Sequence, residues 1–245
     1  MKASYFIIVL LFSAIIVSCT RRSNNFSGTS NGTSNHIQTP HVEQHRTSRQ
    51  SAAKPRSSKM TGEEVFDRYN SAVFMVYTSD GVNQFQGSGF FIDQYGLAVS
   101  NYHVFEGTGM GLEVVKLSNG SKYKVREVVV KSREDDYIIF RVAITGNCNY
   151  IPISSRQKKV GEKVFAIGSP RGLENTFSSG EISQLRGDHI IQINAPIDHG
   201  SNGGALINEY GEVIGITSAG LDNSGANLNF AVDIEVLKPH LQIGL

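Results

Sequence analysis

From Val73 to Ile234 the chain is cut into about a dozen short runs rich in Val, Ile, Phe and Tyr, such as VFMVYTS, GSGFFID, GLAVSNYHV, YIIFRV, KVFAIGS and HIIQINA, broken by Gly, Asn, Asp and Pro. Runs this short, β-branched and closely punctuated predict antiparallel strands. Their number over some 180 residues is too large for one small sandwich and suits two packed β-barrels, so the fold class is all-β. A short helix opens the domain: Thr61 followed by Glu64 fits a capping box, and Val65, Phe66 and Tyr69 recur at helical spacing. Val236 to Leu241 suits a final helical turn. No repeat of solenoid or propeller period is present.

Upstream of that domain the chain is a different material. Lys2 precedes an apolar run of 13 residues, Tyr5 to Val17, that stops at Ser18 and Cys19. A bilayer-spanning helix needs about 20 apolar residues, so the run has the length of the h-region of a secretory signal. Its ending, IIVSC, resembles the lipobox of bacterial lipoproteins, which makes Cys19 the lipidated first residue of the mature chain. The resemblance implies a lipid-anchored protein of the bacterial cell envelope, facing the periplasm or the exterior. A plain signal peptide with an incidental cysteine is the alternative. Residues 1–19 are thus read as signal, 20–60 as a flexible polar linker and 61–245 as the folded domain.

The linker carries seven Lys and Arg against the single acid Glu43, whereas residues 61–245 carry 15 Lys and Arg against 21 Asp and Glu, so the near-neutral total hides an asymmetry. Basic residues beside a lipid anchor fit anionic headgroups at about 1 kcal/mol per well-placed cation, and a solvated spacer fits them equally. The absence of interleaved aromatics argues against nucleic acid. Three linker histidines (His36, His41, His45) are too loosely spaced for a metal site. After processing only Cys148 remains, so no intramolecular disulfide forms and stability must come from the core.

Three polar segments interrupt the strands: GSGFFIDQYGLAVSNYHVFEG with His103, SREDDYIIFRV with Asp136, and IDHGSNGGAL, residues 197–206. Singly, each has an ordinary structural explanation, a hydrogen-bonded histidine or a turn aspartate. In this order, and with AIGSPRGLENTFSSGEIS, INAPIDHGSNGGALIN and GEVIGITSAG…NLNFAVDI around them, they resemble the trypsin-like serine peptidases, most closely the HtrA/DegP branch, over residues 61–245. The resemblance implies a chymotrypsin-like double barrel of two packed six-stranded antiparallel barrels. It places the site in the cleft between them, and no PDZ domain is expected to follow.

The resemblance makes His103 the general base, Asp136 its orienting carboxylate, and the N–H groups of Gly200 and residue 202 the oxyanion hole. Counting from Gly200 or back from Gly203 and Gly204, the nucleophile's place holds Asn202, with Ser201 one position early. A carboxamide nitrogen is delocalised into its carbonyl and cannot usefully be deprotonated by imidazole, so no acyl-enzyme is expected. The expectation is therefore an inactive or severely impaired endopeptidase. The alternative is a pseudopeptidase that grips extended or unfolded polypeptide without cutting it, and a scaffold with an irrelevant cleft is the third.

By the same resemblance Pro196 helps floor the primary specificity pocket, without the carboxylate that selects Lys or Arg, and Thr217, Ser218 and Ala219 form the edge that pairs with a peptide. The Asn202–Gly203 pair is of the deamidation-prone kind. No cofactor and no metal are expected, because His-Glu-x-x-His, P-loop and paired Cys-x-x-Cys patterns are absent.

Overall fold

The computed structural model describes residues 58–109, 111–169, 175–187, 189–198, 200–218 and 228–241. The signal and Cys19, the linker up to residue 57, and Ala219 lie outside these described residues.

Helix α1, Gly62–Tyr69, forms where the capping box predicts it. Thr61 Oγ1 accepts the Glu64 N–H at 3.2 Å, and the Glu64 carboxylate accepts the Thr61 N–H at 2.7 Å. Two of the four free N–H groups of the first turn are thereby satisfied, which contributes about 1 kcal/mol. The helix buries Val65 and Tyr69, and a 3₁₀ turn over Asn70–Ala72 feeds the chain into the first strand.

Six strands close the first barrel: β1 (Val73–Ser79), β2 (Gln84–Phe91), β3 (Leu97–Ser100), β4 (Val114–Leu117), β5 (Lys122–Ser132) and β6 (Tyr137–Val142). Their order around the ring is β1-β2-β3-β6-β5-β4. The second barrel has β7 (Lys163–Gly168), β8 (Thr176–Arg186), β9 (Ile190–Ile193), β10 (Ala205–Asn208), β11 (Val213–Ser218) and β12 (Asn229–Asp233). Its ring order, β7-β8-β9-β12-β11-β10, repeats the first, and every strand pairing in both is antiparallel. Closure leaves neither sheet with a free edge. A 3₁₀ turn, Ile234–Leu237, and the short helix α2, Lys238–Leu241, follow.

The alternation of side chains explains why some runs are continuously apolar. Phe74 and Val76 of β1 and Ile138, Phe140 and Val142 of β6 fill the first barrel, with the Phe74 and Phe91 rings 4.6 Å apart. Val164, Ala166, Ile191, Leu206 and Ile214 fill the second. The residues between them point the other way but are buried too: Val73, Phe90, Val99 and Ile139 meet Phe165, Ile167, Ala205 and Ile216 in a third cluster that joins the barrels. Strands at this seam are covered on both faces and read as unbroken hydrophobic runs. β5, by contrast, has no fully buried residue: exposed and half-buried positions alternate through KYKVR, and only Val129 and Val130 pack against the seam cluster.

Candidate active site

The site assembles at strand ends, where the register leaves little choice. β3 pairs with β6, Ser100 opposite Ile138, so the residues just past β3 lie beside those just before β6. His103 sits there in a 3₁₀ turn, Tyr102–Val104, and Asp136 stands immediately ahead of β6. Asp136 adopts φ of +49°, a left-handed conformation that aspartate tolerates better than most residues. Its carbonyl accepts the Asn101 side-chain N–H at 3.0 Å, and its carboxylate accepts the His103 backbone N–H at 3.0 Å.

The His103 ring Nδ1–H donates to the same carboxylate, 2.9 Å to Oδ2 and 3.1 Å to Oδ1. On its far side, Nε2 lies 3.1 Å from the Asn202 side-chain nitrogen. Both contacts are satisfied by one tautomer, protonated on Nδ1, with the Nε2 lone pair accepting from the carboxamide. The pair is not deeply buried: the His103 and Asp136 side chains are 40% and 29% exposed.

Residues 200–204, between β9 and β10, form a loop held almost wholly by its main chain. The Ser201 N–H donates to Asp198 O at 3.0 Å, and Ser201 O accepts the Gly204 N–H at 3.0 Å and the Thr217 hydroxyl at 2.8 Å. The Gly203 N–H donates to Thr217 O at 2.8 Å. Gly200 and Gly203 have φ of +91° and +88°, open to glycine at little cost. The N–H groups of Gly200 and Asn202 donate to no acceptor among the described residues. Two free amides thus lie in the loop whose Asn202 side chain stands 3.1 Å from the His103 ring.

Residues 87–216, a stretch that contains His103, Asp136 and Asn202, match the family model of the trypsin-like peptidase domain. The chain belongs to the trypsin-like peptidase family. It is 37% identical over 164 residues to a probable serine protease do-like of Buchnera aphidicola, covering 62% of this chain and 34% of that protein. It is 35% identical to the periplasmic serine endoprotease DegP of Salmonella typhimurium, with the same coverages, 62% and 34%. The chain therefore matches about a third of the length of these curated relatives. The crystal structure of a serine endoprotease from Yersinia pestis superposes with a TM-score of 0.67 at 26% identity, covering 76% of this chain and 67% of that one. Two closed six-stranded barrels are the architecture expected of a chymotrypsin-like member of this family.

Within this trypsin-like frame, Ser201 is buried, and its Cβ packs over Gly168 at the end of β7, where an added Cβ would lie 2.9 Å away. Its neighbour Asn202 is the residue that meets His103. Pro196 is exposed and its carbonyl accepts the Ser178 hydroxyl at 2.7 Å. Thr217 is buried, with its N–H and C=O both bonded to the loop, to Gly204 O and from Gly203 N–H. Ser218, half-buried at the end of β11, pairs with Phe230. The Asn202–Gly203 pair differs from a free deamidation site because the Gly203 nitrogen is already engaged at 2.8 Å. Two residues the motifs did not single out also shape the site: Asn101 through Asp136, and Ser88, whose N–H donates to Asn202 O at 2.7 Å. Their signal was present in SNYH and GSGF, but their partners lie far away in sequence. Among the described residues no group of three His, Cys, Asp or Glu is arranged for a metal.

Proposed function

We propose that the domain is an HtrA-like endopeptidase apparatus whose turnover is abolished or severely reduced by Asn202 in the nucleophile's place. One observation carries this reading: the Asn202 carboxamide nitrogen stands 3.1 Å from His103 Nε2, where a nucleophilic hydroxyl belongs. His103 is the general base, Asp136 fixes its tautomer, and the Gly200 and Asn202 amides stabilise the oxyanion at about 3 kcal/mol per donor. The carboxamide holds no proton that imidazole can usefully remove. Loss of a nucleophilic serine costs on the order of a million-fold in turnover.

The substrate class is polypeptide in extended conformation, entering beside Ser218 and Pro196. Relatives bear the name periplasmic, which together with the Cys19 lipobox supports a domain tethered in the bacterial envelope. A second reading is favoured by the free Gly200 and Asn202 amides. In it the intact cleft grips unfolded segments without cutting, a pseudopeptidase that needs main-chain donors and no nucleophile.

A fluorophosphonate probe tests the first reading on the chain as it stands, on Asn202→Ser, and on each with Ser201→Ala. In labelling, the hydroxyl oxygen bonds to phosphorus, its proton passes to His103 Nε2 and fluoride leaves. Labelling confined to Asn202→Ser supports a disarmed peptidase. Labelling of the unaltered chain that disappears with Ser201→Ala would show an active enzyme using the neighbouring serine.

A further inference from the structure

The loop that carries the Gly200 and Asn202 amides belongs to the second barrel, yet a single residue of the first barrel grips it at two points. Ser88, fully buried in β2, donates its hydroxyl to Gly200 O at 2.8 Å and its N–H to Asn202 O at 2.7 Å. The same hydroxyl accepts the Ser169 N–H at 2.8 Å, just past β7, and Ser88 O accepts the Ser100 hydroxyl at 2.7 Å. The Ser88 hydroxyl, N–H and C=O are therefore all engaged.

Peptide planarity turns these bonds into orientation, because a carbonyl and the next N–H point in opposite directions from one rigid plane. The 200–201 plane is clamped at Gly200 O by Ser88 and at Ser201 N by Asp198. The 202–203 plane is clamped at Asn202 O by Ser88 and at Gly203 N by Thr217. Between them, Ser201 O is tied to Gly204 and Thr217, so the Asn202 N–H points away from those partners. Gly200 is the weak link: at φ of +91° and without a Cβ, it leaves the 200–201 plane the freest to turn, and only the Ser88 and Asp198 bonds at its two ends hold it.

The flanking glycines relieve crowding on both sides of β2, and Gly87 does so at the loop itself. A Cβ on Gly87 would stand 2.7 Å from Val104 and 3.2 Å from Asn202 O, and one on Gly89 would stand 2.5 Å from the Phe74 ring. Gly87 thus lets β2 reach the loop, Gly89 makes room for the Phe74 ring in the barrel, and Ser88 places one hydroxyl on the Gly200 carbonyl.

We propose that Ser88 is a positioning residue that locks the oxyanion site across the barrel interface. This rests on the reading of the Gly200 and Asn202 amides as oxyanion donors. Removal of a direct donor costs about a hundredfold to a thousandfold, and loss of its alignment is expected to cost about tenfold to a hundredfold. In the Asn202→Ser background, adding Ser88→Ala lowers the maximal rate of fluorophosphonate labelling by that factor and leaves the probe concentration for half-saturation unchanged. Ser88→Cys, which keeps the shape but offers a weaker donor, falls between the two and carries the test if Ser88→Ala does not fold.

On the unaltered chain, amide NMR supplies a readout that needs no nucleophile. Ser88→Ala shifts the Gly200, Ser201 and Asn202 amide signals and removes the exchange protection of the Ser201 N–H. If Asn202→Ser fails to label at all, the peptidase reading falls and the NMR result decides Ser88 alone. Unmoved amide signals, or a labelling rate unchanged by both Ser88 substitutions, would overturn the proposal.

Discussion

Replacing Gly203 by alanine tests the main-chain frame of the site at its tightest point. Gly203 has φ of +88°, where a Cβ costs about 1 kcal/mol in backbone strain. That Cβ would also stand 2.2 Å from Ser88 O and 2.4 Å from Ser100 Oγ. Ordinary contact lies about 1–2 Å farther out, and both atoms belong to fully buried residues. Relief requires moving β2 from the loop, which breaks the Ser100 to Ser88 bond and the Ser88 bonds to Gly200 and Asn202. At about 1 kcal/mol each, with the strain, the total reaches about 4 kcal/mol, a large share of the roughly 5–15 kcal/mol that holds a domain folded. Gly120 supplies the control: its φ is +83°, but an added Cβ meets nothing within 4 Å. Urea unfolding of the two alanine variants separates strain from collision, provided the slope with denaturant stays constant. Gly120→Ala is expected to lose about 1 kcal/mol. A Gly203→Ala domain no less stable than Gly120→Ala would refute this path of the loop against β2.

Three other outcomes follow from single contacts. Burial pushes the Cys148 thiol from 9.0 up to about 11, so its thiolate fraction at pH 8 is on the order of a hundredfold below that of a free thiol. Iodoacetamide should alkylate it slowly at pH 8 and progressively faster toward pH 11; alkylation at the rate of a small thiol would contradict the burial. Because this thiol's folded pKa lies above its unfolded value, its contribution to stability is complete below about pH 9 and is lost as pH rises through about 11. Asn202 should deamidate more slowly in the folded chain than in urea, since the Gly203 nitrogen that must attack the carboxamide is bonded to Thr217 O at 2.8 Å; equal rates by peptide mapping would show that bond to be immaterial. Asn101→Ala removes the 3.0 Å bond to Asp136 O and, in the Asn202→Ser background, should slow labelling about tenfold while costing about 1 kcal/mol of stability.

Much of the fold was legible because its signals are local. Thr61 and Glu64 announce α1 within one turn, VFMVYTS is β1 residue for residue, and YIIFRV is β6. Gly, Asn and Asp mark the turns between them. The pairing of His103 with Asp136 was legible only through the order of the three polar segments and their resemblance to a family, since each residue alone reads as an ordinary turn residue, and the structure brings the two within 2.9 Å. The cross-barrel bonds were not. Ser88 and Gly200 are 112 positions apart, Tyr137 meets His240 across 103, and no hydrophobic period records such a contact. Thr217, which the resemblance places on the peptide-pairing edge, has its hydroxyl and main chain bonded to residues 201, 203 and 204, contacts that no local pattern records.

The same frame explains how a carboxamide stands beside His103 without disturbing the loop. Residue 202 enters the loop's construction through its main chain, its carbonyl on Ser88 N at 2.7 Å. Its side chain adds one hydrogen bond, to His103 Nε2 at 3.1 Å, and buries Oδ1 with no partner. The bond contributes about 1 kcal/mol, and an unsatisfied buried oxygen costs about 1–3 kcal/mol. Asn202→Ser removes both, so the unfolding free energy should stay within about 1 kcal/mol of the parent, or rise. The amide nitrogen lies one bond, about 1.3 Å, beyond Cγ, so the new Oγ starts no farther than about 4.5 Å from Nε2, within reach of a χ1 rotation. Stability and chemistry are thereby separable at this position. A loss above about 3 kcal/mol on Asn202→Ser would mean that the carboxamide holds the loop, and that the glycines, Ser88 and Thr217 do not suffice.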